Sequence, residues 1–556
     1  MVILSISIQT RARLKQWKGK AMVLSLFSYM FPREQLEYRT YSTDNRPLAV
    51  DQASKFHPRL QSIFQQLDAI APRFVMNKGD IEILEDPKDF YSNLKAKISQ
   101  AKSRIFLSSL YIGKNQDELL ACIESALEAK EDLKVSILTD ALRGTREAPD
   151  KCSASRLVEL VKKFGKHRVD LRMYHTPHLS GLAKNFTPKR LNEGYGLQHM
   201  KLYGFDDEII LSGANLSQDY FTNRQDRYYV FKNKSITDYY FKLQNAVSLL
   251  SYQVIPSNLK QGFRLDWPTS NKTCEPHMNL QRFISDSSFL LEPLLKQQEL
   301  TSFDQFHDHE NFDTIVYPIS QLTPLLNPHN DISTEKPAVL RLLSYLDFPK
   351  IKWWFTAGYF NMLPQIQDRL LNAKATGSVI TAAPQANSFY KSPGISYYLP
   401  QAYLLFARNF LQQVHKMNKD KLITVFEWKN GIVNTKNGWS YHAKGLWMTV
   451  PEEQEPSITI IGSSNYTKRA YTHDLETNAI VITKDLQLKF AMKHEIDNIM
   501  KHVNKMELSE FEPKSIESKD EKSDNQQNMK PKYEIDENRK ISLGVKLAVK
   551  FLGGKL

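Results

Sequence analysis

Two histidines in this chain sit in near-identical surroundings. Tyr195-Gly-Leu-Gln-His199-Met-Lys201 leads into a short apolar run, and Ser440-Tyr-His442-Ala-Lys444 does the same. Downstream of the first lies Ser212-Gly213-Ala214-Asn215, and of the second Gly462-Ser463-Ser464-Asn465. Asp226 follows Asn215 by 11 residues, and Glu476 follows Asn465 by 11. A lone His-x-Lys arises by chance in most chains of this size, but the recurrence of the whole set does not. The residue types suit phosphoryl transfer. A neutral imidazole is a good nucleophile toward phosphorus, and an imidazolium is a good acid for a departing oxygen. Lys201, Lys444, Asn215 and Asn465 can hold phosphate oxygens where charge builds up. Asp226 and Glu476 can each fix a ring tautomer by accepting from the second ring nitrogen. One nucleophile and one acid suffice, so no metal or other cofactor is expected.

Such a pair must be brought together by two similar bodies. Arg104–Gly113 (RIFLSSLYIG) and Ile351–Phe360 (IKWWFTAGYF) are strand-like runs that each end at a Tyr beside a turn residue. Each precedes a helical stretch and a second short strand, at 134–140 (KVSILTD) and 377–383 (GSVITAA). Strand, helix, strand is an α/β pattern. With the histidines 243 residues apart, the sequence divides into two similar α/β lobes, 50–262 and 285–505, joined by a connector at 263–284. Each lobe is expected to be a mixed sheet flanked by helices, with the active site at the lobe interface.

The ends differ from this body. The first 33 residues contain no acid and carry Arg11, Arg13, Lys15, Lys18, Lys20 and Arg33. That is the composition of a mitochondrial transit peptide, so residues 1–49 read as a leader. Residues 506–540 are charged and poor in aliphatics, as in a disordered linker. The last stretch, 541–556 (ISLGVKLAVKFLGGKL), fits an amphipathic helix and an alternating strand equally well. It can lie on a membrane or pack back on the body.

The 556-residue chain is 41% hydrophobic and 24% charged, which excludes a wholly disordered or fibrous protein. Its net charge of +13 favours anionic partners without choosing among nucleic acid, phosphorylated substrates and acidic lipid. Cys122, Cys152 and Cys274 have no metal spacing and are too few for a disulfide framework. The longest uncharged apolar stretch near the start, Ala21 to Phe31, is too short to span a bilayer. Asp304, His307, Asp308, His309 and Glu310 read as a polar loop rather than a metal site. His175 and His178, with Lys184, Lys189 and Arg190, read as a basic loop leading to His199. Arg224, Arg227 and Arg469 stand close in sequence to the two carboxylates and are further candidates for the site.

The repeated constellation resembles the phospholipase D superfamily, whose signature His-x-Lys-x4-Asp occurs twice, once per lobe. His199, Lys201 and Asp206 match the first copy fully. In the second copy, Thr449 stands where the Asp after His442 and Lys444 is expected. The family's Asp is thought to support the fold, so Thr449 bears on local packing more than on chemistry. The stretch Pro451–Pro456 also lengthens the loop before Gly462. Over about 70–505 the wording is similar to one branch of the superfamily, the mitochondrial phosphatidyltransferases acting on CDP-diacylglycerol and glycerol 3-phosphate. The resemblance implies a phosphatidyl transfer through a phosphatidyl-histidine. His199 would be the nucleophile and His442 the acid, and the work would be done at the matrix side of the mitochondrial inner membrane. It implies no nucleic-acid partner. The competing readings are a phosphatidylserine synthase-like transferase, a nuclease or phosphodiesterase of the same superfamily, and a non-catalytic lipid-binding protein.

Overall fold

A computed structural model describes residues 56–181, 184, 187, 192–296, 312–516 and 532–553. The basic leader, Lys189, Arg190 and the 304–310 cluster lie outside the described residues.

Two nine-stranded mixed sheets form the frame. In the first, the order is Phe263–Asp266, Tyr252–Pro256, Val169–Tyr174, Lys134–Asp140, Arg104–Ser108, Leu202–Phe205, Glu208–Ser212, Tyr228–Phe231, Ile81–Leu84. In the second it is Phe74–Met76, Thr314–Gln321, Glu476–Thr483, Ile458–Gly462, Lys444–Met448, Lys352–Ala357, Thr376–Ala382, Ile423–Trp428, Val503–Lys505. The plans agree strand for strand over the centre. Arg104–Ser108 runs parallel to Lys134–Asp140 and antiparallel to Leu202–Phe205. Lys352–Ala357 runs parallel to Thr376–Ala382 and antiparallel to Lys444–Met448. The expected strands at 134–140 and 377–383 are therefore present, the second shifted by one residue. Phe74–Met76 lies early in the chain yet pairs with Thr314–Gln321 of the second sheet.

Local chemistry sets the helices between strands. Asp86 accepts from the backbone N–H of Lys88 and Asp89, and Pro87 fills the first helical position, so Pro87–Gln100 starts there. Asn233 caps Lys234–Ser248 in the same way. That helix and Leu486–Met500 contribute to one apolar core shared by both sheets. Phe106, Leu211, Tyr229, Tyr240, Leu243, Val316, Trp447, Val481, Met492 and Ile496 are all buried in it. Tyr240 Oη donates to the Asn478 carbonyl across the boundary.

Arg227 pins the same boundary. It is 1% exposed, pairs with Glu495, and donates to the carbonyls of Ile460 and Lys444 while lying 3.8 Å over the Trp447 ring. A buried cation survives only when so many acceptors replace water. Gly445 makes room for it: at φ +149, a Cβ there would stand 1.9 Å from Arg227 Nη1. Arg227 is thus part of the lobe boundary rather than of the phosphate site.

The described residues of 506–540, the stretch expected to be a disordered linker, include regular structure. Lys514–Ile516 pairs with Lys532–Glu534, and Arg539 bonds Glu427. Leu543–Leu552 is a helix capped by Ser542 and packed on the helix Leu399–Lys416. Of the two periodicities that 541–556 allowed, the helix is the one adopted.

Candidate active site

All the repeated residues stand at one end of the central strands. His199 and Lys201 immediately precede Leu202–Phe205, and His442 immediately precedes Lys444–Met448. Asn215 follows Glu208–Ser212, and Asn465 follows Ile458–Gly462. Asp226 precedes Tyr228–Phe231, and Glu476 opens Glu476–Thr483. Sequence repetition thereby becomes spatial repetition.

The pairing is crosswise. Nδ1 of His199 lies 2.8 Å from Oε1 of Glu476, which belongs to the other lobe. Nδ1 of His442 lies 2.6 Å from Oδ2 of Asp226, again across the boundary. The backbone repeats the exchange. The His199 amide donates to the Leu475 carbonyl at 2.9 Å, and the His442 amide to the Gln225 carbonyl at 2.9 Å. Ser440–Tyr441 forms a parallel pair with Arg224–Gln225, and Gln198 bridges Leu475 in parallel. Each lobe therefore offers its histidine to the carboxylate of its neighbour. With Nδ1 committed, Nε2 of each ring is the atom left for chemistry.

Both rings are nearly buried, at 8% for His199 and 3% for His442. Burial, aided by Lys201 beside His199 and Lys444 beside His442, holds both imidazoles well below their ordinary range and favours the uncharged rings. Burial also raises Glu476 to about 7 and raises Asp226. Lys444 is pushed down to about 8. Its Nζ sits 2.7 Å from Nδ1 and 3.4 Å from Nε2 of His442. Gly213 permits that approach, since a Cβ there would stand 2.7 Å from the lysine nitrogen and 2.5 Å from Asp226 Oδ1. Lys201 Nζ donates to the carbonyl of His199 at 2.6 Å. Asn215 and Asn465 follow equivalent strands, each with its Oδ1 buried and unpartnered among the described residues.

Sequence reasoning missed two tyrosines. Tyr220 Oη is 3.3 Å from Nε2 of His442 and accepts from Asn215 Nδ2 at 3.1 Å. The Tyr359 ring meets the His442 ring edge-on at 5.4 Å. Arg224 stacks over Tyr220 and pairs with Asp219, so it supports the His442 side. Arg469 pairs with Asp474, which in turn accepts from the Leu197 amide just ahead of His199. His175 is half-buried against Tyr252 and bonds its own loop, and its ring is held down to about 4 by desolvation and by Lys184.

Asp206 and Thr449 occupy equivalent corners. Asp206, at φ 50 in a two-residue hairpin, accepts from the amides of Lys102, Ser103 and Arg104. Thr449 Oγ1 accepts from the Lys352 amide at 3.0 Å, and its own amide donates back to the Lys352 carbonyl. Arg104 and Lys352 each open the matching strand. Threonine thus keeps one bond where aspartate makes several, and neither side chain contacts a histidine.

No protein-family model matches the chain. Full-length comparison does find relatives. A protein of Saccharomyces cerevisiae named CDP-diacylglycerol–glycerol-3-phosphate 3-phosphatidyltransferase is 46% identical over 522 residues, covering 92% of this chain and 95% of that one. The human protein of that name, designated mitochondrial, is 31% identical over 480 residues, covering 82% and 83%. Among solved structures, phosphatidylserine synthase of Haemophilus influenzae matches with a TM-score of 0.59 at 18% identity, over 81% of this chain and 92% of that one. That likeness establishes the fold.

Proposed function

The chain belongs to the CDP-diacylglycerol–glycerol-3-phosphate 3-phosphatidyltransferase family, and from that premise we propose how its two half-sites carry out the reaction. The enzyme transfers the phosphatidyl group of CDP-diacylglycerol to glycerol 3-phosphate, giving phosphatidylglycerophosphate and CMP. The observation that supports the mechanism is the crosswise pair of imidazole–carboxylate contacts, which engages each Nδ1 and turns the two Nε2 atoms to one buried, lysine-lined site.

His199 Nε2 attacks the phosphatidyl phosphorus. The bond to the CMP oxygen breaks, and His442 supplies the proton that the leaving group needs. Burial and Lys444 favour the neutral His442 ring, so the negative diphosphate of the donor, on binding, draws a proton from solvent onto it. The proton later taken from the glycerol hydroxyl replaces the one given to CMP. A phosphatidyl-histidine results. His442, now neutral, takes the proton of the glycerol primary hydroxyl as that oxygen attacks phosphorus, and the bond to His199 breaks. Lys201, Lys444, Asn215 and Asn465 hold the phosphate oxygens in both steps. Two inversions give net retention at phosphorus.

Trapping separates the roles. With a donor carrying a better leaving group, His442→Ala should still accumulate labelled enzyme, and His199→Ala should accumulate none. The reverse pattern would exchange the assignments, and inversion at phosphorus would remove the covalent intermediate. In detergent with CDP-diacylglycerol, product should form with glycerol 3-phosphate. Product with serine alone would overturn the acceptor.

The workplace follows from the donor, a lipid held in a bilayer. Among the described residues no helix is long and apolar enough to cross a membrane. A net charge of +13 suits attraction to an anionic surface. We place the enzyme at the matrix face of the mitochondrial inner membrane. The relatives designated mitochondrial and the acid-free, basic composition of residues 1–33 support this. A reporter carrying residues 1–50 should enter mitochondria, and Gln at Arg11, Arg13, Lys15, Lys18 and Lys20 should leave it in the cytosol.

A further inference from the structure

We propose that the helix Leu543–Leu552 and the turn Gly394–Tyr398 together form the surface that seats the enzyme on an anionic bilayer, beside the His442 side of the site. This rests on the reading that the donor is a bilayer lipid, and it names the part of the protein that meets that bilayer.

The tail is tied into the body. Tyr390 Oη donates to Asn538 Oδ1 at 2.8 Å, and Arg539 bonds Glu427. The Ser542 amide lies 3.3 Å from Gln401 Oε1, and Asn361 Nδ2 donates to the Gly553 carbonyl at 2.7 Å. The helix buries Val545 and half-buries Val549 against Leu399–Lys416. Its opposite face is Leu543, Lys546, Leu547 and Lys550, all exposed, with Leu543 at 71%. Positions i, i+3, i+4 and i+7 share one side of a helix, so these four form one stripe. A packed helix that spends two leucines on water has another partner for that face.

The neighbouring turn has the same character. Ile395 is 78% exposed, Tyr397 and Tyr398 are exposed beside it, and Lys391 is exposed just before them. Tyr398 leads directly into Leu399–Lys416, the helix on which the tail rests. Charge decides the occupant. Residues 388–416 and 541–556 contain no Asp or Glu, whereas Lys391, Arg408, Lys416, Lys546 and Lys550 fall among them. Aliphatic and tyrosine side chains mixed with lysine, with no acid in either segment and with the exposed Asp536 and Glu537 lying upstream of Lys540, suit the headgroup level of an anionic bilayer better than a protein partner's apolar groove.

The location suits the chemistry. Tyr403 of the supporting helix packs on Tyr359 at 5.3 Å, and Tyr359 packs on His442. Asn361, which holds the end of the tail helix, is two residues from Tyr359. A lipid headgroup lifted from beneath this surface therefore has a short way to the catalytic ring.

The test uses the full chain and vesicles of phosphatidylcholine with or without phosphatidylglycerol, read by co-flotation. Two variants are compared with the parent: Lys546→Glu with Lys550→Glu, and Leu543→Ser with Leu547→Ser. Both alter only outward side chains. Affinity for the anionic vesicles should fall roughly tenfold or more in the lysine pair, and binding should weaken as salt rises. Activity on long-chain CDP-diacylglycerol in vesicles should fall with it. Activity on a short-chain, water-soluble donor should stay within about twofold of the parent. Parent-like vesicle binding in both variants would overturn the proposal. So would equal loss on the soluble donor, which would make the tail part of the catalytic body. A dimer that dissolves in the variants would assign the face to a second copy and overturn it too. Should the parent bind vesicles through this face yet use neither donor, the docking surface would stand and the assigned reaction would fall.

Discussion

The two half-sites share a plan, and their differences bear on the division of labour. On the His199 side, Glu476 is braced from behind: Ser463 Oγ donates to its second oxygen, and the ring is the more exposed of the two. On the His442 side the position of Ser463 is taken by Gly213, and Lys444 occupies the space a side chain would fill. There the second oxygen of Asp226 accepts from the Arg227 amide at 2.9 Å, and Tyr220 and Tyr359 cover the ring. The more exposed ring suits attack on an arriving phosphorus. A covered ring, with a lysine and a tyrosine at hand, suits handling of a proton. On the proposed mechanism, one plan used twice would serve two roles through small changes around the carboxylates.

Neutral amides at the two carboxylates would break this comparison most sharply. In Asp226→Asn, the Arg227 amide can only donate, so the new carbonyl must face it and the new NH2 must face Nδ1. The ring is then forced into the wrong tautomer, and kcat should drop roughly 10³–10⁴-fold in steady-state assays. Glu476→Gln has an escape, because the Ser463 hydroxyl can turn and accept. Its kcat should fall only about 10–100-fold. Equal losses in the two variants would show that the brace behind Glu476 has no bearing on the chemistry.

Lys444 sharpens the comparison through pH. Burial lowers it to about 8. A lysine with a lowered value sheds its charge as pH rises through that value, so kcat/KM for the donor should decline above about pH 8. Lys444→Arg keeps its charge far beyond that range, and its profile should lose the alkaline limb even though its rate is lower. A limb that survives in Lys444→Arg would assign it to another group.

The smallest expected effect concerns the two strand corners. Thr449→Val removes a single bond to the Lys352 amide and should cost about 1 kcal/mol in urea unfolding. Asp206→Ala removes acceptors for three amides and should cost about 1–3 kcal/mol. Both should leave kcat within a few fold. A large catalytic loss in Asp206→Ala with stability intact would contradict a structural role for this corner.

Much of the site was legible because it is written twice. The equal spacing from asparagine to carboxylate identified Asp226 and Glu476 without any structure. It could not show that each serves the opposite histidine, because a repeat has the same spacing whether its parts pair within a lobe or across two. Tyr220 was invisible for the contrary reason: its counterpart five residues after Asn465 is Ala470, so no repetition marked it. Tyr359 did carry a signal, since Tyr111 and Tyr359 end the two matching strand runs. In the first lobe Tyr111 bonds Ser217 instead of facing a histidine ring. Phe74–Met76 shows the limit for the fold. Three apolar residues fit the edge of either sheet, and only the completed second sheet offers Thr314–Gln321 as a partner.

The crosswise contacts also set a clock. His199 and the carboxylate that holds its ring are 277 residues apart along the chain. A ribosome that has finished the first lobe has made a histidine without the carboxylate that holds its ring. The second lobe alone is equally mute, because Asp226 precedes it. On the proposed mechanism, neither half-made protein should cleave the lipid donor and lose its activated phosphatidyl group to water. Competence arrives in a single event, when the strand that opens with Glu476 closes the second sheet.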